Sequence, residues 1–111
     1  MSLDVYLTDP TATYQTGNLY WANITHNLNT MASRAGIYKA LWRPEEIGVK
    51  YAKDIIEIVE KGLNDLKERP EYFKQFDASN GWGTYEQFIP FIEEYLQALK
   101  EYPEAKIYIS R

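Results

Sequence analysis

Leu3-Asp4-Val5-Tyr6-Leu7-Thr8 alternates apolar and polar side chains without interruption. That period of two marks a strand with one face buried. Asp9-Pro10 stops it, because proline has no N–H for a ladder and restricts the residue before it. The same alternation returns in Ala105-Lys106-Ile107-Tyr108-Ile109-Ser110, after a long stretch of helical patterning. Two unpaired apolar strands would be aggregation hazards. The expectation is therefore that they pair, with Val5, Leu7, Ile107 and Ile109 buried under two long helices. The order strand, helices, strand predicts an α+β fold: a mostly helical single domain over residues 1–111, with a small sheet formed by the N- and C-terminal strands.

Thr11 to Asn18 is polar and ends in Gly17-Asn18, a turn signal. Leu19 to Ala22 reads as a second strand or as the lead-in to a helix. That helix is expected from Asn23 or Thr25 to Ala35, with Gly36 as its stop and Ile24, Leu28, Met31 and Ala35 as its core stripe. His26 would lie with Asn29, Thr30 and Ser33 on a polar flank bordering a groove. Ile37 to Trp42 is a short helical or extended segment. Pro44 followed by Glu45-Glu46 makes a good helix start, since proline needs no donor there and anions suit the positive helix end. A long helix from about Val49 to Glu68 carries Ala52, Ile55, Ile56, Val59, Leu63 and Leu66 on one face, and Arg69-Pro70 ends it. Glu71 to Phe76 is a short helical turn, and Asp77 to Gly83 a loop. Thr84-Tyr85-Glu86-Gln87 fits a capping box. The helix behind it points Tyr85, Phe88, Ile89, Ile92, Leu96 and Leu99 inward. Pro90 lies deep for a first-turn proline and implies a shifted start or a mild kink. Tyr102-Pro103 closes this helix.

The chain has 111 residues, 45% hydrophobic and 25% charged, which places it with ordinary globular domains rather than disordered ones. Its net charge of −4 and the absence of any basic stripe argue against a partner that is a nucleic-acid polymer. No cysteine is present, so no disulfide and no thiolate zinc site can form. That composition is compatible with a reducing cytoplasm. No apolar run reaches membrane-spanning length, and Met1-Ser2-Leu3-Asp4 has neither the basic start nor the apolar stretch of a signal peptide. Ten tyrosines bring large contact area with polar tips, a composition that suits a pocket or an interface.

Candidate chemistry centres on Ile24-Thr25-His26-Asn27, which places poor helix formers where a helix is expected. His26 is the only histidine and so the natural general base or metal ligand; a cap or backbone bridge is the alternative. With no second histidine or cysteine, no metal is expected, and no cofactor. Asn23 and Asn27 offer amide donors and acceptors suited to the edge of a base or amide. Capping is the safer role for Asn23, although Thr25 could also cap, and a ligand or tertiary contact is favoured for Asn27. Trp42-Arg43-Pro44-Glu45-Glu46 combines a stacking surface, a guanidinium fork and carboxylates. A buried indole beside an Arg–Glu pair explains the same residues. Asn80-Gly81-Trp82-Gly83 allows unusual backbone angles and could offer N–H groups to an anion at a helix start. A loop that tucks Trp82 into the core is the other reading.

Ile24-Thr25-His26-Asn27-Leu28, Gly36-Ile37-Tyr38, Leu41-Trp42-Arg43-Pro44-Glu45-Glu46, Asn80-Gly81-Trp82-Gly83-Thr84-Tyr85 and Glu101-Tyr102-Pro103 with Ser110-Arg111 jointly resemble a family of small single-domain proteins encoded by bacteriophages and bacteria. The likeness covers nearly the whole chain, in order. It implies a phage or bacterial cytoplasmic setting. Accessory proteins of that kind bind a host protein or sequester a small signalling molecule.

The resulting expectation is a binding protein in which Asn23, His26, Asn27, Trp42, Arg43, Glu45, Trp82 and Tyr85 surround a small polar or anionic ligand, such as a nucleotide-type signal. His26, Trp42, Arg43 and Trp82 should then converge on one concavity. The alternatives are a protein-interaction module or inhibitor acting on a host protein, and a small enzyme using His26 as acid or base with Glu45 or Glu46. A clustered pocket favours the first reading, and a flat aromatic patch favours the module.

Overall fold

The structure is a computed structural model that describes residues 2–11 and 17–111. Most of the polar stretch between the first strand and Asn18 lies outside the described residues. Strand β1 (Ser2–Thr8) is the centre of a three-stranded antiparallel sheet, flanked by β2 (Asn18–Thr25) and β3 (Lys106–Ser110). The expected pairing of the terminal strands is present, with Val5 opposite Ile109 and Leu7 opposite Ile107. Leu3, Val5 and Leu7 are fully buried, whereas Ile107 and Ile109 are half-buried at the margin of the core. The opposite face of β1 carries Ser2, Asp4, Tyr6 and Thr8.

The first correction concerns the segment before His26. It is not the start of a helix: β2 continues through Asn23, Ile24 and Thr25, paired with Asp4, Leu3 and Ser2. A 3₁₀ turn (His26–Leu28) follows, and α1 begins only at Asn29 and ends at Arg34. Ile24 is buried from the strand, while Leu28 and Met31 are buried from the helical turns. Ladder pairing with β1 satisfies the backbone of Asn23 to Thr25 better than an isolated helical first turn could.

Helix α2 (Tyr38–Trp42) leads into a 3₁₀ turn (Pro44–Ile47) that starts on proline, as its sequence implies. Helix α3 is shorter than expected, Ile56–Glu68, because the backbone before it is engaged elsewhere. The Ile107 N–H donates to the Lys50 carbonyl (2.9 Å) and the Ala52 N–H to the Ala105 carbonyl (2.8 Å), so residues 50–52 cover the outer edge of β3. The expected apolar face persists across this break, with Ala52, Ile55, Val59 and Leu66 buried. A β-carbon at Gly62 would lie 2.3 Å from Ile37 Cγ2, so glycine lets α3 touch the segment after α1. Helix α4 (Pro70–Lys74) is the expected short turn.

Helix α5 (Tyr85–Glu101) starts where the capping box puts it: Thr84 Oγ1 accepts the Gln87 N–H, and Gln87 reaches back to the Thr84 N–H. Its start is not shifted, and the helix runs through Pro90. Phe88, Ile92, Leu96 and Leu99 point inward as expected, joined by Phe91 and Tyr95. Tyr95 is fully buried, stacked on Tyr20 at 6.0 Å, and its hydroxyl has no hydrogen-bond partner among the described residues. Burial pushes its phenol well above the ordinary range. Helices α3 and α5 pack on one another, α5 lies against β2, and the elements enclose one continuous hydrophobic cluster. Among the described residues, no helix is long and apolar enough to cross a membrane.

Candidate functional site

The end of β2, the His26 turn and the loop before α5 enclose an open concavity of about 850 Å³. Its polar wall is Ser2, Asn23, Thr25, His26, Asn27, Asn80 and Gln87, and Trp82 stands at its rim. Four of the residues expected at a site, Asn23, His26, Asn27 and Trp82, therefore meet here from sequence-distant segments.

Thr25 rather than Asn23 caps the turn, its Oγ1 accepting the Asn27 N–H at 3.2 Å. Asn23 instead lies on the outer face of the sheet. Its Nδ2 donates to Asp4 Oδ1 (2.7 Å) and to Ser2 Oγ (2.9 Å). His26 Nδ1 accepts the indole N–H of Trp42 at 2.8 Å, so the neutral ring carries its proton on Nε2. Burial holds the imidazole below its ordinary range. The donated N–H acts in the same direction, because it occupies the lone pair a second proton would need.

Trp82 is 72% exposed, yet its loop is tied down at every turn. Asn27 Nδ2 donates to the Trp82 carbonyl (2.7 Å), and the Trp82 N–H donates to Asn80 Oδ1 (2.9 Å). Gln87 Oε1 accepts the N–H groups of Gly83 (2.9 Å) and Thr84 (3.0 Å), while its Nε2 donates to the Gly81 carbonyl (3.2 Å). The Tyr85 N–H goes to Asp77 Oδ1 at 2.7 Å. These bonds correct one expectation. The N–H groups before α5 are not available to an anion, because the protein's own side-chain oxygens already occupy them. Gly83, at φ +116°, brings the loop onto the turn, and a β-carbon there would lie 2.9 Å from Asn27 Cβ. Trp82 is correspondingly not tucked into the core.

The remaining expected residues are outside the lining. Trp42 is 2% exposed and stacks on Tyr38 at 5.6 Å, so its indole supports His26 from the core and cannot stack on a ligand. Arg43 Nε donates to the Tyr38 hydroxyl (3.2 Å), and its guanidinium pairs with Glu46 (3.4 Å). Glu45 pairs with Arg111 at 2.7 Å. Tyr85 donates its hydroxyl to the Leu66 carbonyl at 2.9 Å. The expected convergence thus holds for His26 and Trp82, reaches Trp42 only as a buried support, and leaves Arg43 out. Neither Glu45 nor Glu46 faces His26 across the concavity. The polar flank of Asn29, Thr30 and Ser33 does border a groove, but a separate one shared with Arg34, Tyr38 and Tyr72.

Ser2, Asn80 and Gln87 are lining residues that the sequence reading did not place in the site. The capping box was the available signal for Gln87, since its back-bond brings the amide to the loop. Nothing comparable marked Ser2, whose position depends on its pairing with Thr25. No group of three or more metal-ligating side chains clusters among the described residues. No protein-family model, curated protein or solved structure matches the chain.

The depressed His26 titration has a consequence for stability. The unfolded chain binds a proton near pH 6.5, while the folded chain resists it until a lower pH, so stability rises with pH through that window. Melting temperature should fall between about pH 7 and pH 5, and His26→Gln should remove that fall. Asp54, held low by the N–H groups of Tyr51 and Lys50, and Asp65, held low by Arg69, lose their contribution only below about pH 4, outside the window. An unchanged slope in His26→Gln would refute the assignment.

Proposed function

We propose that this chain is a binding protein whose concavity takes a small, uncharged, planar polar molecule against the indole of Trp82. The observation that carries the reading is Trp82 itself: a largely exposed tryptophan on a loop held by Asn27, Asn80 and Gln87. A rigid exposed aromatic is pre-organised for stacking, which lowers the ordering cost of binding. Beside it, His26 Nε2–H is a donor and Asn27 Oδ1 an acceptor, the pair needed to read the edge of an amide or a nucleobase. Among the described residues no lysine or arginine lines the concavity, which favours the neutral arm of the sequence-based expectation over the anionic one. Sequestration of a nucleobase-type signal in a phage or bacterial cytoplasm is the biological form of this reading, and it draws on the family resemblance.

Titrating the protein with adenosine, guanosine, cytidine and uridine, and with their triphosphates, tests it through tryptophan fluorescence. At least one nucleoside should quench, with its triphosphate no tighter. Trp82→Leu should weaken binding about tenfold or more, since base–aromatic stacking contributes roughly 1–3 kcal/mol. His26→Gln should weaken it less. Absence of response to all four nucleosides, or equal affinity in Trp82→Leu, would remove the proposal.

A second reading has its own support. Tyr6 pairs with Trp21 on one side and Tyr108 on the other, so three aromatic residues cross the outer face of the sheet in a row. Trp21 and Tyr108 are both exposed. A flat aromatic face of this kind favours a module that binds a host protein.

A further inference from the structure

Strand β2 is the outermost strand of the sheet, and among the described residues nothing pairs with its far edge. Edge strands present a row of free N–H and C=O groups, and proteins normally blunt them with lysine, proline, bulges or cover. The outer edge of β3 has such cover from residues 50–52. In contrast, Asn18–Thr25 contains no charge, no proline and no glycine over eight residues, and its one irregularity is a register shift at Leu19, close to its start, which leaves Tyr20–Thr25 regularly paired.

Alongside this edge runs a groove of about 510 Å³ between β2 and α5, lined by Tyr20, Trp21, Ala22, Glu94, Gln97 and Glu101, among others. Glu94, Gln97, Ala98 and Glu101 follow one another at helical spacing, so they form a single stripe beneath the edge. Ala22 and Ala98 contribute small side chains to its lining. Glu93 is neutralised by Lys67 at 2.8 Å, but Glu94 and Glu101 enter no ion pair among the described residues. Burial, and after it the Glu94 carboxylate, raises the Tyr20 phenol above its ordinary range.

We infer that the β2 edge is a strand-addition site for an extended, basic segment of a partner protein. Backbone groups of the segment would extend the sheet by one strand. Alternate side chains, which strand geometry sends to one face, would place lysine or arginine over Glu94 and Glu101. Charge complementarity selects this occupant over a second copy of the chain. Two-fold pairing of β2 with itself would bring the acidic stripes of two molecules, each of net charge −4, toward each other. The groove shares no lining residue with the Trp82 concavity, which meets β2 only at Asn23–Thr25, and either site can fail alone.

The probe is an eight-residue peptide, the length of β2, with lysine alternating with threonine, titrated into ¹⁵N-labelled protein. Amide shifts should concentrate in Asn18–Thr25 and in the Glu94–Glu101 part of α5, and the affinity should fall as salt is raised. The same peptide with glutamate for lysine should bind at least about tenfold more weakly, and Glu94→Lys/Glu101→Lys should invert that preference. Both positions are exposed, so folding should be preserved; a cooperative melt like that of the parent checks this. Shifts confined to the outer sheet face around Trp21, Tyr6 and Tyr108 would overturn the edge site while leaving the aromatic-face reading standing. No binding of the lysine peptide, or sedimentation showing a dimer closed through β2, would overturn it outright.

Discussion

Replacing Gly83 with alanine should destabilise the protein by roughly 2–5 kcal/mol, combining backbone strain with overpacking. The residue sits at φ +116°, where side chains other than glycine's are strained. The added methyl would also meet Asn27 Cβ at 2.9 Å and Thr25 Cγ2 at 3.2 Å, both on the other wall of the concavity. The loop can relieve that contact only by moving off the His26 turn, which breaks the Asn27 to Trp82 bond. Gly81→Ala is the internal control. It has φ +78° but open space around it, so it should lose only about 1–2 kcal/mol of backbone preference. Urea midpoints for the two variants, with Trp82 fluorescence as a local probe, make the comparison. Equal losses would mean that the Gly83 contact has no energetic weight, and the loop would not be held as described.

Trp42→Ala should cost about 3–5 kcal/mol, the usual range for emptying a buried tryptophan site. Domains of this kind are stable by only about 5–15 kcal/mol, so the variant should be marginal. Trp42→Phe separates the two roles of the residue. It keeps most of the packing against Tyr38 while removing the N–H that His26 Nδ1 accepts. The phenylalanine variant should therefore stay folded, and its His26 titration, followed by NMR, should move up toward the ordinary imidazole value. A histidine that titrates identically in both proteins would show that burial and the positive N-terminus control it without the indole N–H.

Both strands that define the fold were legible because their buried and exposed residues differ clearly in polarity. In Leu3-Asp4-Val5 and Lys106-Ile107-Tyr108 the alternation is unbroken. In β2 it does not. Its outward residues include Leu19 and Trp21, as apolar as the inward Tyr20, Ala22 and Ile24, so the period of two is blurred. Ile24 also completes a helical stripe with Leu28 and Met31, which is why the segment read as a helix start. The capping box and the proline start at Pro44 were legible for the opposite reason: each is a local hydrogen-bond or backbone rule that needs no distant partner. The site was half legible. His26, Asn27 and Trp82 stood out as residues ill-suited to their local structure. The bonds that organise them, Trp42 to His26 and Asn27 to Trp82, span 16 and 55 positions, and no local pattern encodes them. Arg43 and Glu45 were drawn in by their chemistry alone. Their charges are answered within the protein, by Glu46 and Arg111.

The central place of β1 in the sheet bears on how the chain reaches its folded state. Thr8 Oγ1 bonds the Lys106 carbonyl across 98 positions, and the whole β1–β3 ladder joins segments about that far apart. Closing so long a loop carries its entropic cost before the ladder returns anything, which slows folding relative to a helical bundle of equal size. On the ribosome, β1 and β2 can meet early, but a two-stranded hairpin is marginal alone. The core beneath the sheet must therefore wait for Lys106–Ser110 to emerge. Until then the β1 edge that β3 will occupy is an open template, and the nascent chain depends on prompt arrival of β3, or on a chaperone, to avoid pairing with a neighbour.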